Sequence, residues 1–180
     1  MRVTGGVYRS RILRSIRSDR LRPATDRLRE TMFNILNSMV IIKGASVLDL
    51  YAGTGSVGIE ALSRGASHAV FVESNRRIAE VIKSNIRDLN LETVAKVENV
   101  RVEKYLLNVE DNFDIIFVDP PYSLNKMTAE VISQIFVRRL LKKGGIICIE
   151  HSKGYMPASE FLVRQKTFGT TILSFLKEQI

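Results

Sequence analysis

From residue 46 onward, the 180-residue chain predicts a doubly wound α/β fold with a mostly parallel sheet. Three observations carry that prediction. Short apolar runs alternate with amphipathic helical stretches, a glycine-rich turn separates the first run from the first helix, and two β-like runs close the chain around one glycine. Strands joined by crossover helices run parallel, and ligands on such sheets gather at the carboxyl ends of the strands.

The elements follow in chain order. Arg2-Val3-Thr4 and Arg11-Ile12-Leu13 predict a short hairpin around Gly5-Gly6. After Pro23, Thr25 or Asp26 caps a predicted helix in which Leu28, Met32, Phe33, Ile35 and Leu36 form an apolar stripe, while Arg27, Arg29 and Glu30 face elsewhere. Predicted strands are 46–51, 69–73, 95–99, 113–118 and 145–150, and predicted helices are 56–64, 75–89 and 127–142. Segments 161–168 and 171–178 read as an antiparallel C-terminal hairpin at the sheet edge, turning at Gly169, and 39–45 and 152–160 read as connectors. The chain thus divides into a small N-terminal hairpin and helix extension, residues 1–38, and a main domain, residues 39–180.

A hydrophobic content of 45% suits one globular core. No apolar stretch is long enough to cross a bilayer, and the opening MRVTGGVYRSRILR lacks the apolar run of a secretion signal, which predicts a cytoplasmic protein with no membrane partner. The single cysteine, Cys148, excludes an internal disulfide and a cysteine-based zinc site and reads as a buried structural thiol. His68 precedes a strand and His151 follows one, without partners at ligand spacing, so no metal site is predicted; His151 and Glu150 lie at the functional edge of the sheet.

Of the formal charge of +8, residues 1–38 supply +6, from nine arginines against three acids. Arginine offers phosphate a planar fork of donors, so this density predicts a nucleic-acid contact; a solvated tail is the plainer alternative.

The first strand runs into Asp49-Leu50-Tyr51-Ala52-Gly53-Thr54-Gly55-Ser56-Val57-Gly58. Gly53 and Gly55 admit a ligand close to the backbone, and Gly58 permits tight helix packing. That spacing alone fits nicotinamide and other adenosine cofactors equally. Asp49 separates them, because its charge opposes a pyrophosphate and suits the ammonium and sulfonium of S-adenosylmethionine. Glu73 closes the second strand and is placed to accept two ribose hydroxyls, next to Ser74. The fourth strand ends in Asp119-Pro120-Pro121-Tyr122, which joins an acceptor, a rigid turn and a stacking ring. The Asp119 carboxylate and the Pro120 carbonyl can grip both hydrogens of an exocyclic amine while Tyr122 stacks on the base.

These residues resemble the bacterial 16S rRNA guanine-N2 methyltransferases of the RsmD type. The opening Arg2-Val3-Thr4-Gly5-Gly6-Val7-Tyr8-Arg9-Ser10-Arg11, the stretch Leu21-Arg22-Pro23 to Asn34, the glycine turn and the Asp119 box all carry the likeness. The resemblance implies a Rossmann-like class I S-adenosylmethionine-dependent methyltransferase fold that modifies one guanine of 16S rRNA, in the small subunit or its assembly intermediate, as a monomer. It implies cofactor contacts from Asp49, Tyr51, Gly53, Thr54, Gly55, Gly58, Glu73, Ser74 and Asp119. It also implies RNA contacts from Arg2, Arg9, Arg11, Arg22, Thr25, Asp26 and Arg29. Three positions depart from the pattern: Ser10 stands where glycine is frequent, Asn99-Val100-Arg101-Val102 follows the third strand, so adenine is assigned to backbone groups of Arg101 or Val102, and Tyr122 stands where many relatives have phenylalanine, a ring that can stack equally. Alternatives are an adenine-N6 DNA methyltransferase, which 180 residues leave little room for, a nicotinamide-dependent reductase, which explains neither Asp49 nor the proline box, and a module that binds RNA without catalysis.

Overall fold

The computed structural model describes residues 1–15, 24–121 and 125–178. Its elements are α1 (Ala24–Leu36), β1 (Ser46–Leu50), α2 (Ser56–Ser63), β2 (His68–Val72), α3 (Arg76–Asp88), β3 (Ala95–Glu98), α4 (Val102–Asn108), β4 (Phe113–Val118), α5 (Asn125–Val137), β5 (Leu141–Ser152), β6 (Leu162–Phe168) and β7 (Thr171–Leu176). The seven strands form one sheet in the order β3-β2-β1-β4-β5-β7-β6. The first five are parallel, and β7 lies antiparallel between β5 and β6, as expected for this fold class. Strand order reverses between β1 and β4, which opens the crevice where such sheets bind ligands.

Alternation along the central strands sorts two cores. Val47, Ile115, Phe117, Ile146 and Cys148 join Phe33, Ile59 and Ile82 from α1, α2 and α3 on one face. Leu48, Leu50, Ile116, Val118, Ile147 and Ile149 join Leu106, Ile132 and Ile135 from α4 and α5 on the other. Among the described residues no helix is long and apolar enough to cross a membrane.

Several boundaries differ from the sequence reading. Helix α4 was not expected; its Val102, Tyr105 and Leu106 repeat at helical spacing over only seven residues, too short a signal to separate from a loop. Helix α5 stops at Val137 instead of 142, and β5 starts at Leu141 instead of 145. The stop is a Schellman cap in which Leu140 and Arg139 donate to Ile135 and Phe136 carbonyls at 3.0 Å each. Its left-handed position, φ 55, is Arg139 and not a glycine. The strand then resumes through a bulge between the Phe113↔Leu141 and Ile115↔Ile146 pairs. Thr25 and Asp26 fall inside α1, so neither caps it. His68 opens β2 and His151 lies within β5, where its ring nitrogens meet Ser174 Oγ at 2.7 Å and the Ser152 carbonyl at 2.8 Å.

The N-terminal segment is fastened to the body. A single bridge, Arg2↔Ile12, with Val3 N donating to Arg11 O at 3.0 Å, forms the predicted hairpin. Gly6, at φ +78, lies so close to Ser63 that an added Cβ would overlap its carbonyl. Ser10 keeps the left-handed turn at φ 70, so serine at this position adopts a glycine-type conformation. Val3 and Leu13 are buried in the same core as Phe33 and Phe117.

Glu60 on α2 is the hub of this attachment. It is fully buried, and its carboxylate accepts Thr4 N at 2.7 Å and Thr4 Oγ1 at 2.6 Å, and pairs with Arg29 at 3.3 Å and Arg64 at 2.8 Å. Arg64 in turn lies over the Phe33 ring, 4.9 Å from its centroid. Glu60→Ala removes the buried carboxylate shared by Arg29 and Arg64 and leaves Arg29 only the partly exposed Asp26, so chemical denaturation is expected to show a loss of about 3–5 kcal/mol.

Candidate active site

The glycine turn is pinned from below by β1. Asp49 is buried, and its Oδ2 accepts the Gly58 amide at 2.9 Å, which ties the first turn of α2 to the strand. A Cβ on Gly58 would enter the Phe71 ring, so this close packing requires glycine. Tyr51 leaves the strand at φ 59, a left-handed conformation costly for an aromatic residue. Ala52 N then donates to Val72 O at 3.0 Å, and the chain turns through Gly53 and Gly55.

Glu73 stands one residue beyond β2. Its Oε2 accepts Gly53 N at 3.1 Å and its Oε1 accepts Asn75 N at 2.7 Å, so one carboxylate holds the glycine turn and the start of α3 together. Asn99 Nδ2 donates to the carbonyls of Glu73 at 2.8 Å and Ser74 at 3.1 Å, fixing the β2 and β3 ends side by side. Asn85 on α3 accepts Arg14 N at 2.7 Å and donates to Thr54 O at 3.1 Å, linking the N-terminal arm to the same turn.

Two cavities flank these residues. The first, about 280 Å3, is bounded by Asp49, Phe117, Asp119, Cys148 and Glu150 from the sheet and by Leu28, Arg29 and Met32 from α1, with Gly53 and Thr54 at its side. The second, about 310 Å3, is bounded by Glu73, Ser74, Arg101, Val102, Glu103, Pro121 and Met127. Tyr51 borders both. Its buried hydroxyl has no partner among the described residues, the position a bound ligand's polar atom would satisfy.

The acids charge this crevice. Burial pushes the Asp49 carboxyl up to about 7, partly offset by the Gly58 amide and reinforced by Glu73. Asp119 also rises well above the usual carboxylate range, through desolvation first and then through the charges of Glu150 and Asp49. Taken as a whole residue, Asp119 is nonetheless exposed to solvent. Burial and Glu103 raise the Tyr51 phenol to about 12. Such a set of acids could hold a cationic ligand that carries a nucleoside, with Asp49 near the positive end and Glu73, Arg101 and Val102 near the nucleoside.

The structure brings Asp49, Tyr51, Gly53, Thr54 and Asp119 to the first cavity, and Glu73, Ser74, Arg101, Val102 and Pro121 to the second. Gly55 and Gly58 shape the turn behind them, and Pro120 is buried next to Asp119. Tyr122 and Arg22 lie outside the described residues, as does the side chain of Thr25. Arg2, Arg9 and Arg11 are exposed, whereas Asp26 is half-buried and pairs with Arg29 at 3.0 Å. Arg29 is a correction: expected to face outward to phosphate, it is 4% exposed and its guanidinium donates to Glu60, Asp26 and the Arg2 carbonyl. The sequence reading gave no site role to Glu103 and Met127, which arrive with α4 and α5, or to Leu28 and Met32, whose apolar stripe also borders the cavity.

Residues 1–177 match the family model described as Conserved hypothetical protein 95. YlbH of Bacillus subtilis is 33% identical over 99% of this chain and all of its own length. The ribosomal RNA small subunit methyltransferase D of Haemophilus influenzae is 34% identical over 94% of this chain and 89% of its own. The solved structure of yhhF from Escherichia coli superposes with a TM-score of 0.86 at 31% identity, covering 99% of each chain. With its fold, its glycine turn and its Asp119 strand end all in place, the chain belongs to this Conserved hypothetical protein 95 family, the RsmD family.

Proposed function

We propose that the chain transfers a methyl group from S-adenosylmethionine to the exocyclic N2 amine of one guanine in 16S ribosomal RNA, in the cytoplasm and as a single copy. The observation that carries this reading is the placement of Asp119, at the end of β4, in a cavity that shares Tyr51 with the Glu73 cavity. Family membership and the name of the Haemophilus influenzae relative support RNA as the substrate.

S-adenosylmethionine, when bound, supplies an electrophilic methyl group whose bond to sulfur breaks as the bond to nitrogen forms, sulfur keeping the electron pair. The protein's part is geometric. Glu73 would accept ribose hydroxyls through lone pairs left over from its Gly53 and Asn75 bonds, and Arg101 and Val102, which line the same cavity, would hold adenine. Asp119 and the Pro120 carbonyl hold the two amine hydrogens and direct the nitrogen lone pair along the attack line. Tyr122 stacks on the turned-out base, and the amine proton passes to solvent water after transfer, when the nitrogen is strongly acidic. The extension 1–38 supplies phosphate contacts through Arg2, Arg9, Arg11 and Arg22, while Arg29 secures the extension through Glu60.

Three outcomes test the reading. Asp119→Ala is expected to lower methyl transfer to ribosomal RNA by about 10²–10³-fold. Its affinity for S-adenosylmethionine, by calorimetry, stays within about threefold; an equal loss of both would reassign Asp119 to cofactor binding. Because Asp49 is protonated below its pKa of about 7 and a cationic ligand favours the carboxylate, affinity for S-adenosylmethionine should rise from pH about 6 to about 8, and Asp49→Asn should flatten that rise. Arg2→Ala with Arg9→Ala should lower the slope of log affinity for ribosomal RNA against log salt by about 1–2, with the transfer rate at saturating RNA unchanged.

A further inference from the structure

Of the three acids that border the first cavity, the reading above gives Asp49 to the cofactor and Asp119 to the amine, and gives Glu150 no part. Strands β4 and β5 pair in parallel with Val118 opposite Ile149. The next residues, Asp119 and Glu150, are therefore neighbours at the sheet's carboxyl edge, on strands about 4.8 Å apart. Each follows by two positions a residue of the α1 face, Phe117 and Cys148, so alternation directs both to that same face. Both border the first cavity, and their charges act on each other.

We propose that Glu150 reads the ring N1–H of the target guanine while Asp119 holds the N2 amine, so that two adjacent carboxylates select guanine against purines whose N1 bears a lone pair. This inference rests on the guanine-N2 reading above. Guanine presents N1–H and the N2 amine side by side on one edge, two neighbouring donors that call for two neighbouring acceptors. Adenine presents a lone pair at N1, which a carboxylate repels. Glu150 also interacts within the protein, and the several lone pairs of a carboxylate allow it to keep that contact and accept N1–H.

The test uses a small-subunit ribosomal RNA fragment carrying, at the methylated position mapped on the natural RNA, either guanine or 2-aminopurine. 2-Aminopurine keeps the exocyclic amine and replaces N1–H by a lone pair. The unaltered protein should prefer guanine by at least about 100-fold in kcat/KM. Glu150→Gln, whose amide donates to a lone pair, should shrink that preference at least about tenfold while S-adenosylmethionine affinity stays within about threefold. Equal rates on the two bases with the unaltered protein would overturn the proposal, a result that needs no variant to fold. An unchanged preference in a folded Glu150→Gln protein would do the same. Unaltered protein inert on the guanine fragment would instead overturn the guanine reading, and this proposal with it.

Discussion

The site depends on the in-register parallel stacking of β1, β4 and β5. Asp49 lies opposite Phe117, and Phe117 opposite Cys148, so the three strands are level across the sheet. With side chains alternating every residue, that level row sends Asp49, and one pleat further Asp119 and Glu150, to the face under α1. A one-residue slip of β4 would turn Asp119 to the α4 and α5 side and leave the first cavity without its acceptor. The apolar fill of both faces, with Val47, Leu48, Ile115 and Ile116 all fully buried, is what holds the register.

The second requirement is a wall opposite those acids, supplied by α1 and the arm. Glu60 joins α2, which begins at the end of the glycine turn, to Thr4 in the arm and Arg29 in α1. Leu28 and Met32, on either side of Arg29, thereby face the cavity. Ionic fastening of this kind stabilises little over an apolar core, but it fixes one arrangement of three segments, because any other leaves a buried charge unpaired. The described part of the segment proposed to meet RNA and the turn proposed to meet the cofactor are thus bonded to one another, and linked again where Asn85 bonds both Arg14 and Thr54.

Most of the sheet was legible in the sequence, because buried parallel strands are short apolar runs and crossover helices carry a clear stripe; β4 matches its expected bounds residue for residue. The crevice acids were legible too: Asp49 and Asp119 lie in or just beyond strands whose ends are marked by glycine or proline, and Glu73 closes a clear apolar run. What the sequence concealed has local causes. Helix α4 is two turns long, and with it the place of Glu103 at the second cavity went unseen. The end of α5 is capped by Arg139 in a conformation usually marked by glycine, so the helical pattern seemed to run on through 142. Arg29 was misread because its neighbours Arg27 and Glu30 are exposed, while its own partner, Glu60, lies 31 positions away. A charge pattern reports the helix face, and it does not report a distant buried carboxylate.

The central claim is that one crevice, divided by Tyr51, places a nucleoside on the Glu73 side and its reactive end on the Asp119 side. A crystal structure with S-adenosylhomocysteine tests it most directly. The account predicts adenine against Arg101 and Val102, ribose hydroxyls on Glu73, and the sulfur turned past Tyr51 toward Asp119. A sulfur directed away from Asp119, or an adenosine lying outside both cavities, would contradict it.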